Sequence, residues 1–381
     1  MGKVGTYSIR IMRSCVFIKV LLIGFAKIAY MPYINFYLEN ISDKDDEIHL
    51  LYWNRDLKNE IPLKYNIVLH EFRSNQRDET AKIRKIKNFV LYRNYAKRLI
   101  KNERYDLIIV LTTIPGILLY KTLIRNNIKY IFDYRDVTHE NIGLYKKRLH
   151  KLAERSLVTF ISSDAFRKYL PKIEKIYTTH NITNDMLQYR NIGYKAQARQ
   201  KPIRIRYWGL IRHEKVNKAI IERIGNDDRF ELHYHGREQE TALNLKEYCK
   251  TNHINNVFFH GEYKPIEKYE FAKETDIIHN IYENDTSTRN AVGNKYYDGI
   301  FFGIPQLCMD GSFMAENATK ADVGFACNPF DNDFAGKIFR YYNTIEFQEF
   351  QRNCEIETER IYNEFRASGE IIRRILTRGS V

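Results

Sequence analysis

Short apolar runs recur along this chain with helix-length polar or amphipathic stretches between them, and that alternation restricts its fold most. The first is residues 18–24 (IKVLLIG), apolar on both faces of any strand it could form. Similar runs stand at 47–52, 66–71, 105–111, 129–134, 158–162 and 175–178. Helical stretches are expected between them, near 31–40, 79–102, 116–125 and 146–157, with a short helix from Ser163. Strands buried on both faces and separated by helices predict parallel sheets in an α/β doubly wound arrangement.

The rhythm breaks at residues 184–202, a polar stretch with Gly193 and Pro202, and then restarts. Strands are expected at 204–208, 230–235, 257–259, 276–281 and 306–309. Helices are expected near 216–225, 243–252 and 265–273. A length of 381 residues fits two domains. The expected division is a first Rossmann-like domain at 1–183, a linker at 184–202, a second at 203–346, and closing helices from 347 to 381. Two such domains facing a cleft would bind a ligand at strand C-terminal ends.

Charge is uneven. The net is +14, yet residues 1–200 carry +17 and residues 201–381 carry −3. A strongly basic half points to an anionic partner, such as a membrane surface, a nucleic acid or a polyanionic substrate. The stretch 82–104 holds nine Lys or Arg residues with Val90, Tyr92, Tyr95 and Leu99 between them, a candidate lipid-facing helix. A second basic run lies at 145–151, and the aromatic-rich 25–37 (FAKIAYMPYINFY) is expected as exposed loop at the mouth of the cleft. The apolar run 16–26 contains Lys19 and is too short to span a bilayer. It lacks a small-residue cleavage site, so the residues before Ile18 read as a short leader. Five scattered cysteines without a CxxC pair exclude a disulfide framework and a zinc cluster, and fit a reducing cytoplasm.

Residues 290–305 (NAVGNKYYDGIFFGIP) carry the clearest functional signal. Small and amide residues, with Gly293 and Asn294, lead into a helix with Asp298 near its start and a Gly303-Ile304-Pro305 stop. Free N–H groups at a helix start bind phosphate, and a carboxylate one turn in can accept from ribose hydroxyls. Three strands of this half end in glycine, at Gly209, Gly236 and Gly261. Arg212 and Lys215 follow the first of these, two cations placed to neutralise a diphosphate. His233 and His235 share a strand face, but no carboxylate or cysteine cluster accompanies them, so they read as packed side chains and no metal site is expected.

Taken in order, these features resemble the GT-B-fold, family-four-like bacterial glycosyltransferases, over about residues 19–376. Gly209 and Lys215 match the family's glycine and lysine spacing in the first loop of the second domain; Leu210 replaces its arginine, and Arg212 stands nearby. The family's paired glutamates fall on Asn290 and Asp298, with Glu283 as a substitute for the first. Asn294-Lys295 looks like a variant found in capsule and polysaccharide enzymes. Tyr134-Arg135-Asp136, Ser162-Ser163 and His180-Asn181 also look like the family, and His139 is the candidate for its first-domain histidine.

The resemblance implies a hexosyltransferase-like enzyme that moves a sugar from a nucleoside diphosphate donor to a glycan, retaining configuration without a metal or other cofactor. Arg212, Lys215 and Asp136 are the catalytic candidates. Gly209, Glu283, Asn290, Gly293, Asn294, Lys295 and Asp298 are the donor-binding ones. The implied acceptor is a lipid-linked intermediate of surface polysaccharide at the inner face of the cell membrane, and the closing helices would pack back across both domains. The rival readings are a sugar-nucleotide epimerase of the same architecture and a nucleic-acid-binding protein. No helix-turn-helix or aromatic single-strand platform supports the second, so no nucleic-acid partner is expected.

Overall fold

A computed structural model describes residues 18–41, 46–60, 63–76, 82–198 and 201–378. The expected leader before Ile18 lies outside them. The chain forms two compact units. One contains the described residues up to Ile131 and those from Glu370 onward; the other is Phe132–Gly369.

The first unit holds strands β1 (Lys19–Ile23), β2 (Glu47–Asn54), β3 (Val68–Arg73) and β4 (Leu107–Leu111), with helices α1 (Ile34–Ile41), α2 (Lys82–Asn102) and α3 (Thr113–Arg125). The strands are parallel in the order β3-β2-β1-β4, with Leu22 opposite Leu50 on one side and Ile109 on the other. Val20 to Ile23 are fully buried, as a central parallel strand requires.

The aromatics that follow β1 are core, which corrects the expected exposed loop. Phe25 packs edge-on against Trp53 (5.0 Å) and Tyr92 (4.9 Å), and Met31, Phe36 and Tyr37 are buried. The Tyr92 hydroxyl of α2 donates to the Gly24 carbonyl at 2.5 Å and closes this cluster. Among the run's aromatics Tyr30 is exposed, at 55%.

Strand β5 (Tyr130–Tyr134) contains the boundary between units. The second unit continues with α4 (Gly143–Arg155), β6 (Val158–Ile161) and β7 (Ile176–Thr178). It then builds a second parallel sheet from β8 (Ile203–Trp208), β9 (Phe230–His235), β10 (Val257–Phe259), β11 (Ile277–Asn280), β12 (Gln306–Met309) and β13 (Gly324–Cys327). The intervening helices are α5 (Glu214–Ile224), α6 (Glu240–Thr251), α7 (Glu267–Lys273), α8 (Asn294–Phe302) and α9 (Phe313–Lys320). The chain closes with α10 (Phe334–Thr344) and α11 (Phe347–Arg378).

The order β10-β9-β8-β11-β12-β13 fixes where a ligand can sit. From β8 the chain winds outward to β10, then returns to lay β11 on the other side of β8. The loops after β8 and β11 therefore diverge and leave a crevice at their C-terminal ends, the topological switch point of an open α/β sheet.

Residues 184–198 are pinned rather than loose. The Asn191 and Gly193 amides donate to the Phe301 and Phe302 carbonyls at 2.8 and 2.9 Å. A Cβ on Gly193 would overlap Ile304, at 2.3 Å from its Cγ1, so glycine is required for that approach. In α11, Cys354, Ile361, Phe365 and Ile372 form a buried stripe at helical spacing, and this helix runs unbroken over Phe347–Arg378.

Candidate active site

The second sheet brings three glycine strand ends side by side. The Gly209 amide donates to the His235 carbonyl at 2.9 Å, and the Gly236 amide to the Gly261 carbonyl at 2.7 Å. All three glycines have positive φ, and a Cβ on Gly236 would stand 1.7 Å from the Gly209 carbonyl oxygen. A Cβ on Gly209 would meet nothing within 4 Å, so this strand end opens onto free space.

The segment after Gly209 carries the two expected cations. Arg212 is exposed, with its guanidinium 5.8 Å from the Tyr282 ring, and Lys215 is exposed in the first turn of α5, 5.6 Å from the Phe330 ring. Among the described residues neither forms an ion pair. Between them His213 adopts a left-handed conformation, and its Nδ1 lies 3.7 Å from a Glu283 carboxylate oxygen. Burial and the neighbouring Arg212 push the imidazole below its ordinary pKa. Glu283 comes from the loop after β11, so the two sides of the switch point meet here.

Helix α8 starts at the same place. Gly293 caps it, and a Cβ there would come 3.1 Å from the Tyr282 hydroxyl and 3.6 Å from Asn280 Oδ1. Asn294 is exposed and accepts from Asn181 Nδ2 at 2.7 Å; Asn181 in turn accepts from Arg135 at 3.1 Å. Lys295 is buried at 5% exposure. Its Nζ donates to the Tyr282 hydroxyl at 2.6 Å and sits 3.9 Å from the Tyr207 ring centroid. Desolvation, with Arg212 nearby, pulls this amine down to about 7. Asp298 is also buried: Oδ2 accepts from the Trp208 indole and Oδ1 from Lys268 Nζ, both at 2.8 Å. The helix ends on Gly303 in the left-handed conformation, the stop read from the sequence.

Asn290 has its own set of partners. Its Oδ1 accepts from Lys168 at 2.6 Å, its Nδ2 donates to Tyr169 at 3.0 Å, and its carbonyl accepts from Ser163 Oγ at 2.5 Å. The side chain that aligns with a family carboxylate is thus engaged within the protein. Asp136 is reachable by solvent yet walled by protein; that desolvation raises its carboxyl above the usual range, while Arg135 and Arg212 oppose the rise. The charge of Arg212 is felt at both Asp136 and Lys295, which ties the expected residues into one electrostatic group. His139 is exposed and its ring packs against Tyr145, while His180 is buried between Tyr297 (3.1 Å) and Glu364 (2.8 Å).

Three contributors were not foreseen: Tyr282, Trp208 and Lys268. Trp208 is the residue before a strand-end glycine, which is a usable signal. Tyr282 and Lys268 carry none, since their roles depend on partners 13 and 30 residues away. A cavity of about 390 Å³ borders the start of α8 at Val292, Tyr296 and Tyr297, with Ser163, His180 and Arg360 also in its wall; Arg212, Lys215 and Lys295 do not line it. His233 and His235 are packed strand residues, with His235 stacked on His260 and on Phe271, each at 4.2 Å. Among the described residues no His, Cys, Asp or Glu group is arranged to hold a metal.

Comparison with known proteins agrees with this architecture. The family model described as "Glycosyl transferase 4-like" matches residues 19–163. Sucrose-phosphate synthase from Thermosynechococcus elongatus is similar in fold, with a TM-score of 0.71 at 11% identity over 94% of this chain and 99% of that one. Anabaena HepE in complex with UDP-glucose gives 0.63 at 14% identity over 95% and 100%. The lipopolysaccharide outer core galactosyltransferase WaaB in its apo form gives 0.60 at 13% over 92% and 98%. No curated protein sequence gives a match. With a family-four-like segment at 19–163 and two parallel α/β sheets of this architecture, the chain is a glycosyltransferase of the GT-B fold, resembling family four.

Proposed function

We propose that this enzyme transfers a sugar from a nucleoside diphosphate sugar to a glycan acceptor, holding the donor diphosphate at the β8–β11 switch point. The observation that carries the reading is Arg212 and Lys215, two exposed cations without an ion pair among the described residues, beside an open glycine strand end. Negative charge grows on the diphosphate as the glycosidic bond breaks. Fixed cations and the amides at the start of α8 stabilise that charge without reorganising. In this reading they do so without a metal ion or other cofactor.

Asp298, held by Trp208 and Lys268, accepts from the ribose hydroxyls. Gly209 lets the donor approach the backbone, Glu283 and Asn294 flank the sugar, and Asn290 shapes the pocket through Lys168 and Tyr169. Asp136 faces the acceptor side. The chemistry retains the anomeric configuration, with the departing diphosphate and the acceptor hydroxyl on one face. Two similar structures are described as holding UDP with glucose or UDP-glucose, which makes a UDP-sugar the first donor to test.

The acceptor is a lipid-linked intermediate of surface polysaccharide, such as capsule, met by a peripheral enzyme at the inner face of the cell membrane. Support comes from α2, where Ile83 and Ile86 are 84% and 63% exposed among exposed Arg84, Lys87, Lys97, Arg98 and Lys101. That mixture suits an anionic lipid surface. Among the described residues no helix is long and apolar enough to cross a membrane.

A thermal-shift screen against UDP-, GDP-, ADP- and dTDP-sugars tests the donor reading, because a ligand of the native state raises its melting temperature. One nucleotide class should raise it in a concentration-dependent way. No shift with any of them counts against the reading.

A further inference from the structure

Lys295 is a buried amine-bearing side chain with no carboxylate at ion-pair distance among the described residues. A positive charge on it is costly to keep unless something anionic arrives. The groups facing it are few. Tyr207 of β8 lies beneath it, the Tyr282 hydroxyl after β11 is its hydrogen-bond partner, and Cys308 of β12, Asp298 of its own helix and Arg212 act on it electrostatically. His279 of β11 feels its charge and that of His213. Asp298 is already committed to Trp208 and Lys268, and Arg212 adds repulsion.

The Tyr282 hydroxyl makes no other hydrogen bond among the described residues, and it lies directly under the start of α8, 3.1 Å from where a Cβ on Gly293 would be. Asn280 Oδ1, fully buried and without a hydrogen-bond partner, points at the same spot. The hydroxyl hydrogen is a donor that a bound anion would complete, whereas Asn280 Oδ1 can only accept.

We propose that Lys295 and Tyr282 form a proton-gated contact for the donor diphosphate: the site takes up a proton on Lys295 as the diphosphate binds, and the Tyr282 hydroxyl then turns outward to donate to a phosphate oxygen. A neutral amine can accept the phenol proton; an ammonium cannot, so protonation frees the hydroxyl for the ligand. This rests on the donor-site reading above and adds to it a coupled lysine–tyrosine pair behind the exposed cations. Tyr282 touches the donor, and Lys295 acts through it as a positioning residue.

The first test needs no ligand. The folded amine loses its proton near pH 7 and the unfolded one near 10.4, so the unfolded state holds more protons in between and stability must rise with pH across that window. The melting temperature of the wild type should climb from pH 7 to 9.5, and that of Lys295→Met should climb less. Parallel curves overturn the assignment of the proton to Lys295.

The second test titrates UDP-glucose calorimetrically at pH 8.5 in two buffers of different ionisation heat. The wild type should take up close to one proton, and its affinity should fall by up to about tenfold per pH unit above 7, the limit for one coupled proton. Lys295→Met should bind with no uptake and a flat profile. Tyr282→Phe should lose affinity on both sides of neutrality while keeping some uptake. Binding by the wild type without proton uptake overturns the proposal. Failure of every variant to bind this probe instead defeats the UDP-sugar reading, while the ligand-free curves still decide the state of Lys295.

Discussion

The Trp208 indole donates to Asp298 Oδ2 at 2.8 Å, so one buried hydrogen bond locks the end of β8 to the first half of α8. Lys268 of α7 completes the pair from the other oxygen at 2.8 Å. The carboxylate therefore orients two elements of the switch point before any nucleotide is present. Its placement gives it two separable effects.

Asp298→Ala strands the indole N–H and leaves Lys268 without its acceptor. Removing an acceptor from a buried pair costs about 1–3 kcal/mol, which urea unfolding should register. UDP binding should weaken by about 1–3 kcal/mol on the same grounds, because ribose loses a charged acceptor. Trp208→Phe should reproduce the stability loss and much less of the binding loss. Unchanged nucleotide affinity in Asp298→Ala would remove this residue from the donor site.

Gly236→Ala should be among the most damaging single-methyl additions in the second unit. The new Cβ would stand 1.7 Å from the Gly209 carbonyl oxygen, at φ +153°, and backbone cannot yield as a side-chain tip can. A loss of about 1–3 kcal/mol or more is expected from overpacking. Gly261→Ala, with open space around its Cβ, should cost less and pays only for its positive φ. Equal melting temperatures for the two variants would contradict this ranking.

Acid should weaken the second sheet through its histidines. Burial, with Arg206 and neighbouring imidazoles, pushes His233 and His235 down to about 3. Their folded values lie below the unfolded value of about 6.5. The unfolded state thus binds more protons as pH falls, and stability drops between about 6.5 and 3. The slope approaches 1.4 kcal/mol per pH unit for each histidine. His235→Phe, which keeps the stack on Phe271, should flatten the fall in urea midpoint between pH 7 and 5. An unchanged slope would show that His235 does not titrate this way.

Much of the fold was legible because parallel strands announce themselves. The run 230–235 is strand β9 to the residue, and residues 306–309 are β12. The strand-end glycines were readable too, since their conformation leaves few alternatives. The stretch containing α9, β13 and α10 was not assigned: β13 is only Gly324–Cys327, too short for an alternation to show. The aromatics of 25–37 misled because exposure depends on Trp53 and Tyr92, which arrive from β2 and α2. Arg212, Lys215 and the start of α8 could be assigned to strand and helix ends from local spacing. The Lys295–Tyr282 and Asp298–Lys268 contacts could not, because the facing side chains come from separate elements.

The basic helix of the first unit makes a distinct claim. Lys85→Glu, Lys97→Glu and Lys101→Glu together should release the protein from anionic vesicles, at about 1 kcal/mol per residue near the surface. Ile83→Ser with Ile86→Ser should weaken vesicle binding even at high salt, where exposed charge is screened. Cosedimentation of both variants at wild-type levels, or displacement of vesicles by nucleic acid, would count against a membrane-facing α2.

The central claim is that Arg212 and Lys215 hold the diphosphate of a sugar nucleotide. The most direct measurement is steady-state UDP release from UDP-glucose, or from whichever sugar nucleotide the thermal screen selects, by the wild type and by Arg212→Ala and Lys215→Ala. Each variant should fold normally, since both side chains are exposed and form no ion pair among the described residues. Each should lose about 10²-fold or more in turnover, the scale for removing one group that stabilises developing charge. Turnover within about twofold of wild type in both variants would contradict the account.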